Sequence, residues 1–182
     1  RKDLKPTENL KLTFKAIRNY LAANAIGATD DSVLAQQLIN IIFCKIYDEK
    51  YTDPEDIISF HAGVGEDISI VKQRIVDIFN KVKSRYKDVI VSTETISLDD
   101  KSVAYIVGEL QNYCLLDTKR DVIAEAFETF IGHALKGDKG QFFTPRNIVK
   151  MIVNILNPNS SDMIMDSACG SGGFLVETLR YV

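Results

Sequence analysis

The chain has 182 residues, of which 46% are hydrophobic, 26% are charged and 10 are glycine. These fractions are typical of globular proteins and exclude a disordered or collagen-like chain, and the length predicts one domain or slightly more. The formal net charge of −3 excludes a uniformly basic protein that grips nucleic acid over its whole surface.

Targeting signals and covalent cross-links are not expected. No stretch approaches the roughly 18 uncharged apolar residues of a membrane span, and the first six residues, RKDLKP, contain no apolar signal region. The three cysteines are widely spaced without a CxxC pair, and the chain has two histidines. We therefore expect no disulfide framework, no metal site, no membrane association and a cytoplasmic location.

Apolar residues at helical spacing predict that the first two-thirds of the chain is helical. The predicted helices span residues 8–24, about 32–47, 68–86, 103–115 and 121–135. Asp30, Asp31 and Ser32 are the candidate N-cap residues of the second helix, and Asp53-Pro54-Glu55 is typical of a further helix start. The run Val89-Ile90-Val91 fits a short strand or a buried loop, and acidic pairs such as Asp48-Glu49 are expected to be solvated helix ends.

The character of the sequence changes after Leu135. A polar loop with two glycines precedes Thr144 and Pro145, which predict the N-cap and first residue of a helix that ends near Leu156. Residues 162–166 predict a buried strand, residues 167–173 a glycine-rich turn, and the residues after them a helix. We therefore predict a mainly α fold, with a helical domain at 1–135 and the first strand, turn and helix of an α/β, Rossmann-like domain at 136–182.

The glycine-rich turn after Asp166 has the composition of a ligand-binding loop. Glycines allow positive φ and close approach of the backbone, the helix N-terminus attracts a negative group, and the Asp166 carboxylate can accept a hydrogen bond from a hydroxyl or ammonium. A purely structural turn is the alternative. A Walker A loop does not fit, since Asp138 stands where its lysine belongs, and a dinucleotide fingerprint does not fit, since Leu175 replaces its third glycine.

A second motif, Gly-Gln-Phe-Phe-Thr-Pro-Arg, occupies residues 140–146. Read alone, its two aromatics are ordinary core anchors. Asp166 follows Pro145 by 21 residues, which accommodates one helix, a turn and a strand, so the aromatic loop can fold back against the glycine-rich turn. There an aromatic ring would stack on a flat base, and polar backbone groups would hold a charged tail.

These two motifs together resemble motifs X and I of the modification (M) subunits of type I restriction–modification systems, which are N6-adenine DNA methyltransferases. The resemblance extends over residues 119–182, whereas residues 1–118 share only a helical character with that family. It implies the cofactor S-adenosyl-L-methionine. The residues that match its binding motifs are Gln141, Phe142, Phe143, Thr144, Pro145, Arg146, Asp166, Gly170, Ser171, Gly172 and Gly173. Ser167 stands where the family most often has proline, which removes no ligand atom.

The resemblance implies that the whole protein transfers a methyl group to adenine N6 in double-stranded DNA, together with a specificity (S) and a restriction (R) subunit. The family's catalytic Asn/Asp-Pro-Pro-Phe/Tyr tetrapeptide follows motif I and does not occur in these residues. We therefore expect an N-terminal part of an M subunit with a truncated methyltransferase domain, no catalytic residues and no activity alone. The alternatives are a single-chain restriction–methylation enzyme and a helical interaction module with a vestigial cofactor loop.

Charge is unevenly divided between the two parts of the chain. Residues 1–131 contain 17 Lys and Arg against 21 Asp and Glu, and residues 132–182 contain five against four. A net negative helical part predicts a protein-contact or clamp domain rather than a surface that follows DNA phosphates.

Overall fold

The computed structural model describes residues 2–7, 9–25, 30–118, 122–123, 126, 144–170 and 172–182. The chain divides into two compact units, Arg1–Gly140 and Gln141–Val182. Six helices and no strand have their bounds within the described residues, which confirms the mainly α prediction. The helices are α1 (Leu10–Asn24), α2 (Asp31–Tyr51), α3 (Ile68–Arg85), α4 (Asp100–Leu110), α5 (Arg146–Leu156) and α6 (Gly173–Tyr181).

The first unit is a helical bundle in which α3 packs against α2 and α4, and α1 packs against α4. The predicted stripe of α1 is buried, with Leu10, Phe14, Ile17 and Leu21 at most 1% exposed. Burial of such a stripe is the main stabilising contribution that an amphipathic helix makes.

Aspartates cap three helices of this unit. Asp30 Oδ1 accepts the Ser32 N–H at 2.8 Å, so Asp30 is the one of the three candidate residues that caps α2. Asp67 and Asp99 accept the N–H groups of Ser69 and Ser102 in the same way, each at 2.9 Å. Each cap satisfies a backbone donor that the helix itself leaves without a partner.

The segment between α2 and α3 is a loop, so the helix start predicted at Asp53-Pro54-Glu55 is wrong. The Phe60 N–H donates to Asp48 Oδ2 at 2.7 Å, and the Phe60 side chain is fully buried. This contact buries part of the loop between α2 and α3 in the core without regular structure. The tertiary contact outweighs the local preference of Asp53-Pro54-Glu55 for a helix start. The Val89–Val91 run also lies in a loop, with Ile90 buried and its two neighbours exposed.

Helix α4 ends at Leu110, five residues before the predicted end, because the backbone that follows bonds elsewhere. The Cys114 N–H donates to the Lys5 carbonyl at 2.8 Å, and Lys5 forms an isolated parallel bridge with Tyr113. The Glu49 carboxylate accepts the N–H groups of Leu115 at 3.0 Å and Leu116 at 2.9 Å. Residues 112–118, held in this way, are called the anchored segment below.

The helix predicted at 121–135 falls mostly outside the described residues. Val122, Ile123 and Ala126 are helical, and Ala126 is fully buried. In the described ranges, no helix combines the length and the apolar character needed to cross a membrane.

In the second unit α5 packs against α6. Val149 and Val153 are the buried residues of α5, and Asn157 ends that helix in a left-handed conformation with φ 46°. The Tyr181 hydroxyl donates to Asn157 Oδ1 at 2.5 Å and ties the end of α6 to the end of α5.

The buried strand predicted at 162–166 is absent from the described residues. This run has no paired neighbour there, and Met163, Ile164 and Met165 are 102%, 46% and 87% exposed. A strand is defined by pairing, and an apolar run without a neighbouring strand can neither form a ladder nor bury both faces.

Candidate cofactor site

The turn after residue 166 is built from its own polar groups. Asp166 is half-buried, and its Oδ1 accepts the Ala168 N–H at 3.1 Å. The Gly172 N–H donates to the Cys169 carbonyl at 2.7 Å and closes the turn. The sequence therefore folds here into a compact loop.

Two glycines of this turn adopt conformations that side chains disfavour. Gly170 has φ 52° and Gly172 has φ 75°, both in the left-handed region. Among the described residues, a Cβ atom built on Gly170, Gly172 or Gly173 meets nothing within 4 Å. The glycines thus provide the backbone geometry of the turn, and the space beside them is open to a bound molecule.

The turn leads directly into the N-terminus of α6. Gly172 is the N-cap residue, and its carbonyl accepts the Val176 N–H at 2.9 Å. No side chain in the described part of the chain caps this end. A helix start without a side-chain cap offers its first N–H groups and its positive dipole end to an anion such as a carboxylate.

The other motif is described from Thr144 onward, and Gln141, Phe142, Phe143 and Ser171 lie outside the described residues. The N-cap of α5 is Pro145, so the prediction of Thr144 as N-cap is wrong by one residue. The Pro145 carbonyl accepts the N–H groups of Ile148 at 3.0 Å and Val149 at 3.1 Å. Proline has no side-chain acceptor, and its ring instead sets the direction in which the chain enters the helix.

The two motifs open α5 and α6, the helices that pack together in the second unit. Thr144 and Pro145 are exposed, and Arg146 and Asp166 are half-buried. This arrangement keeps the described motif residues accessible. The contact predicted between the aromatic pair and the glycine-rich turn stays a prediction.

The prediction of Asp48-Glu49 as a solvated helix end is wrong, because Asp48 is 8% and Glu49 0% exposed. Lys45 Nζ lies 2.9 Å from Glu49 Oε1, and both side chains are fully buried. Burial lowers the pKa of Lys45, and the Glu49 charge opposes that shift. The four-residue spacing of Lys45 and Glu49, flanked by Cys44 and Ile46, is the signal in the sequence that could have indicated a buried pair.

Comparison with known proteins finds similarity to DNA methylases. A family model described as N-6 DNA Methylase matches residues 118–182. The type I restriction enzyme MjaIX methylase subunit of Methanocaldococcus jannaschii is 33% identical over 124 residues, which are 65% of this chain and 22% of that protein. The similarity to the N-6 DNA methylase family thus lies in residues 118–182. The resemblance to type I modification subunits stated from the two motifs is confirmed.

Two further relatives of this chain carry the same kind of name. The type I restriction enzyme EcoKI methylase subunit of Escherichia coli is 25% identical over 124 residues, 64% of this chain and 23% of that protein. The EcoEI methylase subunit of Escherichia coli is 29% identical over 115 residues, 62% of this chain and 20% of that protein. The chain spans about a fifth of the length of these curated relatives.

The family match begins within the anchored segment. Thr118, the first matched residue, accepts the Thr7 N–H on its Oγ1 at 3.2 Å and donates to the Cys114 carbonyl at 2.5 Å. The N-terminal residues and Glu49 thus hold the chain at the point where the methylase match starts.

Proposed function

We propose that this chain is the N-terminal part of a type I modification subunit. The whole protein would transfer the methyl group of S-adenosylmethionine to adenine N6 in double-stranded DNA. It would work in the cytoplasm with a specificity subunit that reads the sequence and a restriction subunit. The observation that carries this proposal is the pair of motifs, the second of which forms an open glycine turn at an uncapped helix start.

The residues of this turn fit S-adenosylmethionine, which supplies an electrophilic methyl group. Gly170 and Gly172 let the backbone approach the cofactor, and the first N–H groups of α6 suit its carboxylate. Asp166 would accept hydrogen bonds from its ammonium group. We assign Gln141 to Arg146, Ser171 and Gly173 to the same site by their match to the two motifs.

The exposure of residues 162–166 supports the proposal that the second unit is part of a larger, Rossmann-like domain. Met163 and Met165 are largely exposed, and so are Ile155, Leu156 and Leu179 on the two neighbouring helices. An α/β domain buries its first strand between neighbouring strands and covers both sheet faces with helices. We propose that residues 162–166 form such a strand within the complete methyltransferase domain.

Titration of S-adenosylmethionine into the full-length protein by calorimetry tests this proposal. We expect Gly172→Asp to weaken binding more than tenfold, because it places a carboxylate beside the cofactor carboxylate. Gly172→Asn adopts the same left-handed backbone without the charge and should weaken binding less. Gly65→Asp is the matched control, since Gly65 also has φ 75° and open space around it but lies in the helical unit.

Wild-type protein that binds no S-adenosylmethionine would contradict the proposal and favour the helical interaction module with a vestigial loop. A nuclease or recognition domain in the same polypeptide would favour the single-chain restriction–methylation enzyme. The 182-residue chain alone should transfer no methyl group to DNA. Labelled N6-methyladenine formed by that chain would contradict the assignment of catalysis to other residues.

A further inference from the structure

One face of the helical unit concentrates positive charge around an open groove. The groove follows the C-terminal half of α3, where two adjoining cavities of about 610 Å³ and 470 Å³ share Asn80 and Ser84 in their lining. Lys83 and Lys87 line the first cavity, and Lys81 and Arg85 line the second. Lys81 and Arg85 are four residues apart on α3, about 6 Å along its axis, and Lys87 lies in the turn that follows the helix, so basic side chains flank the groove.

Aromatic side chains extend this basic groove onto the end of α2. Arg85 Nε donates to the Tyr51 hydroxyl at 2.8 Å, and the Arg85 guanidinium lies 4.7 Å from the Tyr51 ring centroid. Lys50 Nζ lies 5.5 Å from the same centroid. The Tyr51 and Tyr86 hydroxyls are 3.4 Å apart. Five cations, Lys50 among them, therefore lie around one exposed patch.

Capping of α3 does not account for these cations. Basic residues often bond the last carbonyls of a helix, but here backbone N–H groups already bond two carbonyls at this end. The Val82 carbonyl accepts the Tyr86 N–H at 2.9 Å, and the Tyr86 carbonyl accepts the Val89 and Ile90 N–H groups, each at 3.0 Å. Lys83 has a structural role, since its Nζ donates to the Glu94 carbonyl at 2.9 Å.

The groove contains little negative charge to offset these cations. Asp88 is the acidic residue in the lining of the larger cavity, and the smaller cavity is lined by Tyr47, Asn80, Lys81, Ser84 and Arg85. Exposed cations with hydroxyl and amide groups between them are the donors that proteins use to contact phosphate oxygens.

We propose that this groove contacts the phosphate backbone of duplex DNA independently of base sequence. The inference rests on the proposed function, which supplies DNA as the substrate, and it adds a surface in the helical unit outside the cofactor site. It also qualifies the expectation drawn from net charge. The helical part is acidic as a whole, but folding gathers residues 81–87 and Lys50 on one face.

The test of the groove measures the affinity of the full-length protein for a 30-base-pair duplex that contains no adenine. Fluorescence anisotropy gives this affinity at several salt concentrations. Lys81→Glu/Lys87→Glu should reduce the slope of log affinity against log salt by about 2, roughly one unit for each lost phosphate contact. At 0.1 M salt this corresponds to an affinity loss of about tenfold to 100-fold.

Lys15→Glu/Lys101→Glu is the matched control. It changes net charge by the same amount at exposed lysines on α1 and α4, and it should leave the slope within about 0.5 of the wild-type value. Equal losses in the two double variants would indicate an effect of net charge and overturn the groove assignment. Thermal unfolding of both variants checks that these exposed changes preserve the fold.

The two proposals fail in different ways. If the full-length protein binds S-adenosylmethionine and DNA but the groove variant keeps the wild-type slope, the groove is wrong and the proposed function stands. An acidic protein partner would then be the alternative occupant. If the wild-type protein binds neither S-adenosylmethionine nor DNA, both proposals are wrong.

Discussion

Replacing Glu49 with glutamine would leave the Lys45 ammonium buried without its counter-charge. The two groups are 2.9 Å apart with both side chains fully buried. The Glu49 carboxylate also accepts the N–H groups of Leu115 and Leu116 in the anchored segment. Glutamine has nearly the same volume, so the substitution changes charge and hydrogen bonding with little change in packing.

The expected cost follows from these contacts. Removal of one partner of a buried ion pair costs about 3–5 kcal/mol. The glutamine NH₂ group cannot accept, so one of the two backbone N–H groups loses its partner, which costs about 1–3 kcal/mol. We expect the free energy of unfolding to fall by at least about 4 kcal/mol, a large part of the roughly 5–15 kcal/mol that stabilises a typical domain.

The penalty should depend on pH in a definite direction. Burial lowers the pKa of Lys45 in the folded state, so the unfolded chain binds this proton more tightly. Stability therefore rises as pH increases through the folded pKa towards 10.5. The Glu49→Gln penalty should shrink as pH rises towards 10.5, because the Lys45 ammonium that lacks the Glu49 charge can lose its proton.

Urea unfolding monitored by circular dichroism measures this effect, with the m-value checked for constancy. Glu55→Gln is the matched control, since Glu55 pairs with Lys2 at 2.6 Å but both side chains are mostly exposed. This substitution should lower the free energy of unfolding by less than about 0.5 kcal/mol. Adding Lys45→Met to Glu49→Gln should recover about 2 kcal/mol or more, because the buried charge is gone. If Glu49→Gln lowers the free energy of unfolding by less than about 1 kcal/mol, or if the double variant recovers none of it, Lys45 and Glu49 do not act as a buried ion pair.

Two further predictions concern the helical unit. Phe14→Ala should lower the free energy of unfolding by about 3–5 kcal/mol, whereas Leu12→Ala on the exposed side of α1 should change it by less than about 0.5 kcal/mol. Equal effects of the two substitutions in urea unfolding would show that the Phe14 face of α1 is not in the core. Hydrogen bonds from Arg74 and from the Gly63 N–H lower the pKa of Glu66 to about 2 from 4.5. The contribution of the Glu66 carboxylate to stability is therefore complete above pH 4.5 and is lost as pH falls towards 2. Glu66→Gln should flatten the pH dependence of stability in that window, and an unchanged acid-unfolding curve would count against the Glu66–Arg74 interaction.

Local patterns in the sequence were sufficient for most helices of the first unit. The stripe Leu10, Phe14, Ile17 and Leu21 predicted the buried face of α1, and Asp30 predicted a cap, because periodicity and capping depend on neighbours a few residues away. The two short motifs also identified the methylase family, since backbone conformation and ligand chemistry restrict which residues can occupy a glycine turn.

Contacts between distant segments decided the rest. Glu49 is buried because the segment after α4 returns to α2, and α4 stops at Leu110 because the following N–H groups bond to Lys5 and Glu49. Residues 162–166 have the composition of a strand but no paired neighbour among the described residues, and a ladder needs two segments. Likewise, net charge is a sum over residues, whereas the basic groove along α3 depends on where folding places them. The sequence alone determined the helical pattern and the family motifs. The tertiary structure decided which polar groups are buried, where helices end and where charge accumulates, since those properties arise from long-range contacts.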